Sequence, residues 1–262
     1  MTAAGRQTRP EAPEARPLAE EVPVAVVCNG TTQAVMMATP ADLEDFAAGF
    51  CLTEGIVTSL AEIEEMEVVR HERGAEARVW LPERAAARLA ARRRAMAGPV
   101  GCGLCGIDSI EAALRPAARV ATDDLRLTAM DLRLAPDALR RRQPGHDATR
   151  AMHGAALWMP GEGLCHPRED VGRHNALDKV AGACLRAGET GRGRAVVLTS
   201  RVSVEMVQKA AALGAEAILA VSAPTALAVE MARAAGLTMV AGLAGAARVH
   251  AHPHRLAQGT LP

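Results

Sequence analysis

Aromatic residues are scarce in this 262-residue chain, which has two Trp, two Phe and no Tyr. Proteins that grip single-stranded nucleic acid stack bases on aromatic rings, so that platform is missing. An excess of charge of either sign is missing too. Thirty basic and thirty acidic residues cancel, and no global field draws the chain to nucleic acid or to an anionic membrane. No apolar run reaches the ~18 residues of a membrane span. The longest, around Ala217 to Val229, is interrupted by Ser222, Pro224 and Thr225. Lysine is nearly absent: Lys179 and Lys209 stand alone among bases that are otherwise arginine, an excess that reads as coding bias. Only two of the six cysteines are closely spaced, so no disulfide framework is encoded. In a reducing compartment such a pair points to catalysis or metal binding.

What is present is an ordinary globular composition, 49% hydrophobic and 23% charged, which excludes wholesale disorder. Residues 1–20 are rich in Ala, Pro, Glu and Arg and lack the apolar core of a signal peptide. They are expected to form a disordered tail on a cytoplasmic protein. Two parts are expected beyond it, 21–120 and 121–262, joined through Pro116 to Thr122.

In the first part, Val22–Cys28 and Gln33–Ala38 read as strands around Asn29-Gly30, a strong hairpin signal because both residues accept positive φ. Thr39-Pro40 reads as the opening of a helix that runs to about Thr53. Ile63–Arg70 and Arg78–Leu81 predict a second hairpin, and Pro82–Met96 a helix. A glycine-rich turn, 98–106, and a short helix from Ile107 to Leu114 follow. A polar helix is expected over Met130–Gln143. In the second part, strand-like Met152–Met159, Ala195–Thr199, Ala217–Val221 and Leu237–Val240 alternate with helical Val171–Ala187, Val204–Leu213 and Thr225–Ala235. That alternation predicts an α/β sheet with parallel central strands.

Four segments carry the chemistry. Gly101-Cys102-Gly103-Leu104-Cys105-Gly106 places two thiols three residues apart among glycines that admit another molecule. The helix expected after it favours the thiolate. Three uses compete: a zinc site, for which Cys165-His166 is the one other ligand pair in view; a disulfide switch; and a carrier of sulfane sulfur. Buried inert cysteines are the plain alternative. The polar run from Arg168 to Lys179 lies at a strand-to-helix junction. Asp170 is expected to cap the helix, with Arg173, His174, Asn175 and Asp178 placed to hold phosphate or a polar heterocycle. Thr199-Ser200-Arg201-Val202-Ser203 and Ser222-Ala223-Pro224-Thr225 lie at further strand ends, where α/β sheets bind ligands. Last, Gly242-Leu243-Ala244-Gly245-Ala246-Ala247 is a small-residue loop whose amides suit a close approach to phosphate. A simple helix cap or solvated face is the structural alternative at each junction.

Together these segments resemble the FdhD family of formate dehydrogenase accessory sulfurtransferases. The resemblance rests on Cys102-Gly103-Leu104-Cys105-Gly106, on Glu169 through Lys179 without a gap, and on Glu205–Ala210, Ser222–Thr225, Asn29-Gly30 and Thr39-Pro40. It spans about Glu21 to Leu256. It implies a smaller N-terminal α+β domain and a C-terminal α/β domain of the cytidine deaminase type. The zinc deaminase signature is absent from the sequence. It implies that a cysteine desulfurase loads Cys102 with a persulfide, with Cys105 beside it. The sulfur then passes to the bis-molybdopterin guanine dinucleotide form of the molybdenum cofactor, destined for formate dehydrogenase. The cofactor loop maps to Gly242, Leu243, Ala244, Gly245, Ala246 and Ala247, with Arg173, His174 and Arg201 as further contacts and no resident metal. A chaperone that binds the cofactor without moving sulfur is the rival of another class. The oligomeric state stays open, a homodimer included. The chain departs from the family's usual pattern at Thr149-Arg150-Ala151, where Thr-Gly-Gly is usual, at Ser200, and through Gly242–Arg248.

Overall fold

A computed structural model of the protein describes residues 16–96 and 114–260. The tail expected over 1–20 falls mostly outside them, and 16–20 has no regular structure. The glycine-rich turn and the helix expected after it lie outside the described residues.

The first sheet has four strands in the order β2-β1-β4-β3. Strands β1 (Val22–Cys28) and β2 (Thr31–Ala38) form the expected antiparallel hairpin. Its turn is Asn29-Gly30, with φ 46° and 74°, the left-handed pair that a tight hairpin needs. The Asn29 carboxamide also exchanges two hydrogen bonds with the Leu81 backbone, at 3.0 and 2.8 Å. Strands β3 (Glu65–His71) and β4 (Gly74–Trp80) form the second hairpin, and β4 runs parallel to β1. Helices α1 (Leu43–Thr53) and α2 (Glu83–Met96) belong with this sheet. Val24, Val26, Phe46, Phe50 and Val79 are among the core they share.

Helix α1 starts at Leu43, not at Thr39-Pro40. Thr39 is engaged elsewhere. Its N–H donates to Asp170 Oδ2 (3.0 Å), its hydroxyl accepts from the Val171 N–H (3.2 Å) and its carbonyl accepts from Lys179 Nζ (3.0 Å). A residue read as a local cap is a joint between distant segments.

The second sheet has six strands in the order β10-β9-β8-β7-β5-β6. These are β5 (His153–Met159), β6 (Gly163–Asp170), β7 (Ala195–Leu198), β8 (Ala217–Ala220), β9 (Thr238–Ala241) and β10 (Arg248–Ala251). Strands β7, β8 and β9 are parallel, and the outer pairings are antiparallel. The central strands bury alternate residues on opposite faces. Ala155, Leu157, Val196, Leu198, Ile218 and Met239 face helices α5 (Arg173–Arg186), α6 (Val204–Ala212) and α7 (Ala226–Ala235). Ala156, Trp158, Val197, Leu219 and Val240 face α3 (Ala129–Arg140). A short α4 (Pro144–Thr149) follows α3. The chain is therefore mixed α/β, with helices on both faces of its larger sheet.

Two glycines bring the halves together. A Cβ on Gly49 of α1 would stand 1.7 Å from the Asp178 carbonyl oxygen of α5, and one on Gly182 would stand 1.8 Å from the Asp45 carbonyl oxygen. The helices cross backbone to backbone. Beside that crossing the Asp45 carboxylate accepts from Arg168 Nε (3.0 Å) and Nη2 (2.7 Å), and from Arg186.

Candidate functional site

A cavity of about 960 Å³ lies at the carboxyl ends of β7, β8 and β9. Thr199 follows β7, Val221 follows β8, and Leu243 to Ala247 follow β9. All but Ala246 line the space. Helix α3 closes the other side with Leu132, Arg133, Pro136, Asp137 and Arg140, and Gln143, His146 and Thr260 complete the wall. Ligands of α/β sheets bind in this kind of crevice, because loops and helix starts converge there.

Gln143 is the most informative residue of the wall. It is 1% exposed, and among the described residues neither its amide nitrogen nor its amide oxygen has a hydrogen-bond partner. A buried carboxamide without partners costs roughly 1–3 kcal/mol. Gln143 lines the cavity, and its amide atoms are shielded from solvent behind that wall. The fold leaves room for the carboxamide at Gly154, where a Cβ would meet Gln143 Nε2 at 2.5 Å.

Next to this wall lies a cluster of bases. Burial, then the charges of Arg173 and the imidazoles of His146 and His174, hold His153 below its ordinary pKa. These surroundings favour the neutral form of the His153 imidazole. Arg173 Nε and His174 Nε2 are buried, and neither has a hydrogen-bond partner within 3.5 Å among the described residues. His174 Nε2 instead lies 3.6 Å from the Glu205 carboxylate, which accepts a hydrogen bond from Ser203 Oγ at 2.8 Å. The His174 contact first, and Ser203 after it, draw the Glu205 pKa down to about 2.

The rest of the polar run that begins at Arg168 is structural. Asp170 and Lys179, both fully buried, form an ion pair at 2.7 Å. Asp170 does not cap α5, whose N-cap is Gly172. Its Oδ1 accepts instead from the Gly172 N–H (2.7 Å) and from Asn175 Nδ2 (3.0 Å). Asn175 donates onward to the Met37 carbonyl (2.8 Å), and Asp178 pairs with Lys209 at 2.8 Å. Asn175 and Asp178 therefore bind the two halves of the chain rather than a phosphate.

The expected site residues thus divide. Leu243, Ala244, Gly245 and Ala247 line the cavity; Gly242, Ala246, Arg173, His174 and Arg201 do not, although Arg201 is two residues from Thr199 and exposed. Cys102 and Cys105 lie outside the described residues. The amides of the loop are a correction. Gly242, Leu243, Ala244 and Gly245 donate their N–H groups to Ser222, Ala220, Val221 and Gly242 carbonyls. Four of the six amides expected for phosphate are occupied by backbone carbonyls. Arg133, Arg140, Gln143 and His146 were not anticipated. The polar character of the 130–143 helix was their one sequence signal. Arg150, where the family pattern has glycine, adopts φ 58°, the conformation that glycine takes freely.

The fold is mixed α/β, with an open crevice at the carboxyl ends of a partly parallel sheet. The FdhD/NarQ family profile matches residues 19–257. The chain is 53% identical over 230 residues to the sulfur carrier protein FdhD of Agrobacterium fabrum, covering 88% of this chain and 85% of that one. It is 55% identical over 222 residues to the protein of that name from Brucella abortus, covering 85% and 82%. A crystal structure assigned as a formate dehydrogenase accessory protein from Desulfotalea psychrophila superposes with a TM-score of 0.70 at 27% identity, covering 92% of this chain and 90% of that one. The chain belongs to the FdhD/NarQ family. No helix among the described residues is long and apolar enough to cross a membrane.

Proposed function

We propose that this chain is a cytosolic sulfur carrier that serves formate dehydrogenase. It takes sulfur from a cysteine desulfurase as a persulfide on Cys102 and hands it to the bis-molybdopterin guanine dinucleotide molybdenum cofactor in the crevice beside the 242–247 loop. The relatives named above support sulfur carriage. The observation that carries the cofactor reading is the unpartnered carboxamide of Gln143 at the cavity wall. An amide presents one donor and one acceptor side by side, as does the edge of a guanine. Arg133 and Arg140 stand on the same wall, where a diphosphate can pair with guanidinium groups.

The chemistry of loading balances without an oxidant. The Cys102 thiolate attacks the outer sulfur of the desulfurase persulfide; that S–S bond breaks and a new one forms on Cys102. If the Cys105 thiolate then attacks the inner sulfur, a Cys102–Cys105 disulfide forms and hydrosulfide leaves with both electrons. Cys105 thus reduces the sulfur it releases, and a dithiol reductant must restore the pair.

Mass spectrometry of the protein after incubation with a desulfurase and cysteine tests the first step. One added sulfur on Cys102, lost in Cys102→Ser and kept in Cys105→Ser, is expected. Delivery that survives Cys102→Ser makes the protein a chaperone of the cofactor instead. Calorimetry with a guanine nucleotide at low salt tests the site. Gln143→Leu is expected to weaken binding about tenfold, the loss of one to two hydrogen bonds, and Arg133→Ala to weaken it while leaving persulfide loading intact. Unchanged affinity in Gln143→Leu places the nucleotide elsewhere.

A further inference from the structure

Strand β6 breaks its pairing with β5 at one point. Ala155 opposes Arg168 and Leu157 opposes Cys165, so His166 and Pro167 together face Ala156. This is a bulge, and His166 takes φ 51° there, a conformation uncommon for a residue with a Cβ. The bulge upsets the alternation of the strand. Cys165 packs against the core that contains Cys184, and the adjacent His166 also reaches that side. Cys184 is fully buried in the last turns of α5, and Glu189 follows Gly188, whose φ is 71°. Three elements thus converge, far along the sequence from the Cys102–Cys105 pair and outside the crevice.

We propose that His166, Cys184 and Glu189 form a binding site for a thiophilic divalent cation, with zinc the best chemical match. The ligand atoms of the three residues all lie within 4.8 Å of one another. Tetrahedral zinc with bonds of ~2.0–2.3 Å separates its ligand atoms by roughly 3.3–3.8 Å, so small side-chain adjustments close the site. His166 Nε2 and Glu189 Oε2 are already 3.1 Å apart. A thiolate, an imidazole and a carboxylate suit zinc or cobalt and discriminate against magnesium and calcium, which prefer oxygen alone. The fourth position is left to water.

The surroundings set the terms of binding. Arg194 donates to Glu189 and lies 3.9 Å from Cys184 Sγ. Among the described residues it is the guanidinium that faces the cluster from the neighbouring loop. It fixes the carboxylate in the empty site and offsets the two anionic ligands in the filled one. The bulge brings the His166 ring to the side of the buried Cys184 sulfur.

Cobalt titration tests this in the full chain carrying Cys102→Ser and Cys105→Ser, which removes the competing thiol pair. One equivalent of cobalt is expected to produce a near-ultraviolet thiolate-to-metal band that zinc abolishes by displacement. Cys184→Ser should eliminate the band. His166→Gln, at a partly exposed position that leaves the core untouched, should weaken cobalt binding at least tenfold with circular dichroism unchanged. A folded protein that gives no band in excess cobalt overturns the proposal, as does a band that His166→Gln leaves at full affinity.

Discussion

Glu62 shows how one residue can make stability depend on pH. It is 6% exposed, and its carboxylate accepts from the Thr58 N–H (2.8 Å), the Thr58 hydroxyl (3.1 Å) and Arg88. The Arg88 hydrogen bond first, then the Thr58 N–H, lower its pKa from 4.5 to about 2. Above pH 4.5 the group is ionised in both folded and unfolded chains, and its stabilisation is fully present. As pH falls from 4.5 toward 2 the unfolded chain binds the proton first, and the stabilisation is lost. Glu62→Gln should cost roughly 1.5–3 kcal/mol at neutral pH, the range for hydrogen bonds to a charged group. Urea denaturation at pH 7 and at pH 3 should show that gap narrowing, because the native protein loses the advantage while the variant has none to lose. A gap of equal size at both pH values contradicts the assignment. The two lysines carry a related lesson. Both are buried in ion pairs, Lys179 with Asp170 and Lys209 with Asp178. In a chain whose other bases are arginine, a compact ammonium head fits sites too tight for a guanidinium.

At the scale of elements, the crossing of α1 and α5 depends on the absence of two side chains. Gly49→Ala or Gly182→Ala would drive a methyl into a backbone carbonyl, and neither carbonyl can move aside as a side-chain tip could. Each should destabilise by about 3 kcal/mol or more, the upper range for overpacking. Alanine at exposed Gly245, where a Cβ meets nothing within 4 Å, should change the melting temperature little. A mild effect at Gly49 would mean the helices can separate. Legibility in the sequence followed the same physics. Helix α5 and strands β7 to β9 were readable because their apolar residues recur with the period of the element or fill it outright. Strand β6 was not, since all of its residues but Asp170 are only partly buried, and its bulge and Pro167 break any alternation. Strand β10 is four residues long and contains two basic residues. The start of α1 was misplaced because Thr39 has the chemistry of a cap, and its partner lies 131 residues away. The wall of the crevice escaped for the same reason: only the fold brings Gln143 against the strand ends.

At the scale of the whole molecule, the ion pairs between the two sheets should decide whether the chain unfolds as one unit. Lys209 Nζ in α6 lies 2.8 and 2.9 Å from the two Asp178 oxygens of α5, 3.0 Å from the Thr53 hydroxyl of α1 and 3.3 Å from Glu54. Burial opposes its charge, but Asp178 and Glu54 outweigh that and raise its pKa. The ammonium is therefore held charged at the seam. Lys209→Met leaves Asp178, 1% exposed, facing that seam without its cation, a loss of about 3–5 kcal/mol for a buried pair broken on one side. Removing both partners, as Lys209→Met with Asp178→Leu, should cost clearly less than the two single changes added together. The chain supplies its own probes, since its two tryptophans are divided between the sheets, Trp80 on β4 and Trp158 on β5. Trp80→Phe and Trp158→Phe forms each report one sheet by fluorescence. In the otherwise native protein both should show the same urea midpoint, as a single cooperative unit requires. With Lys209→Met added the two midpoints should separate, because the larger sheet keeps its own two-faced core while the four-stranded sheet loses the charge that anchors α1. Midpoints that stay together after Lys209→Met would mean that the glycine crossing alone carries the coupling. Midpoints that already differ in the native background would show two independent folding units.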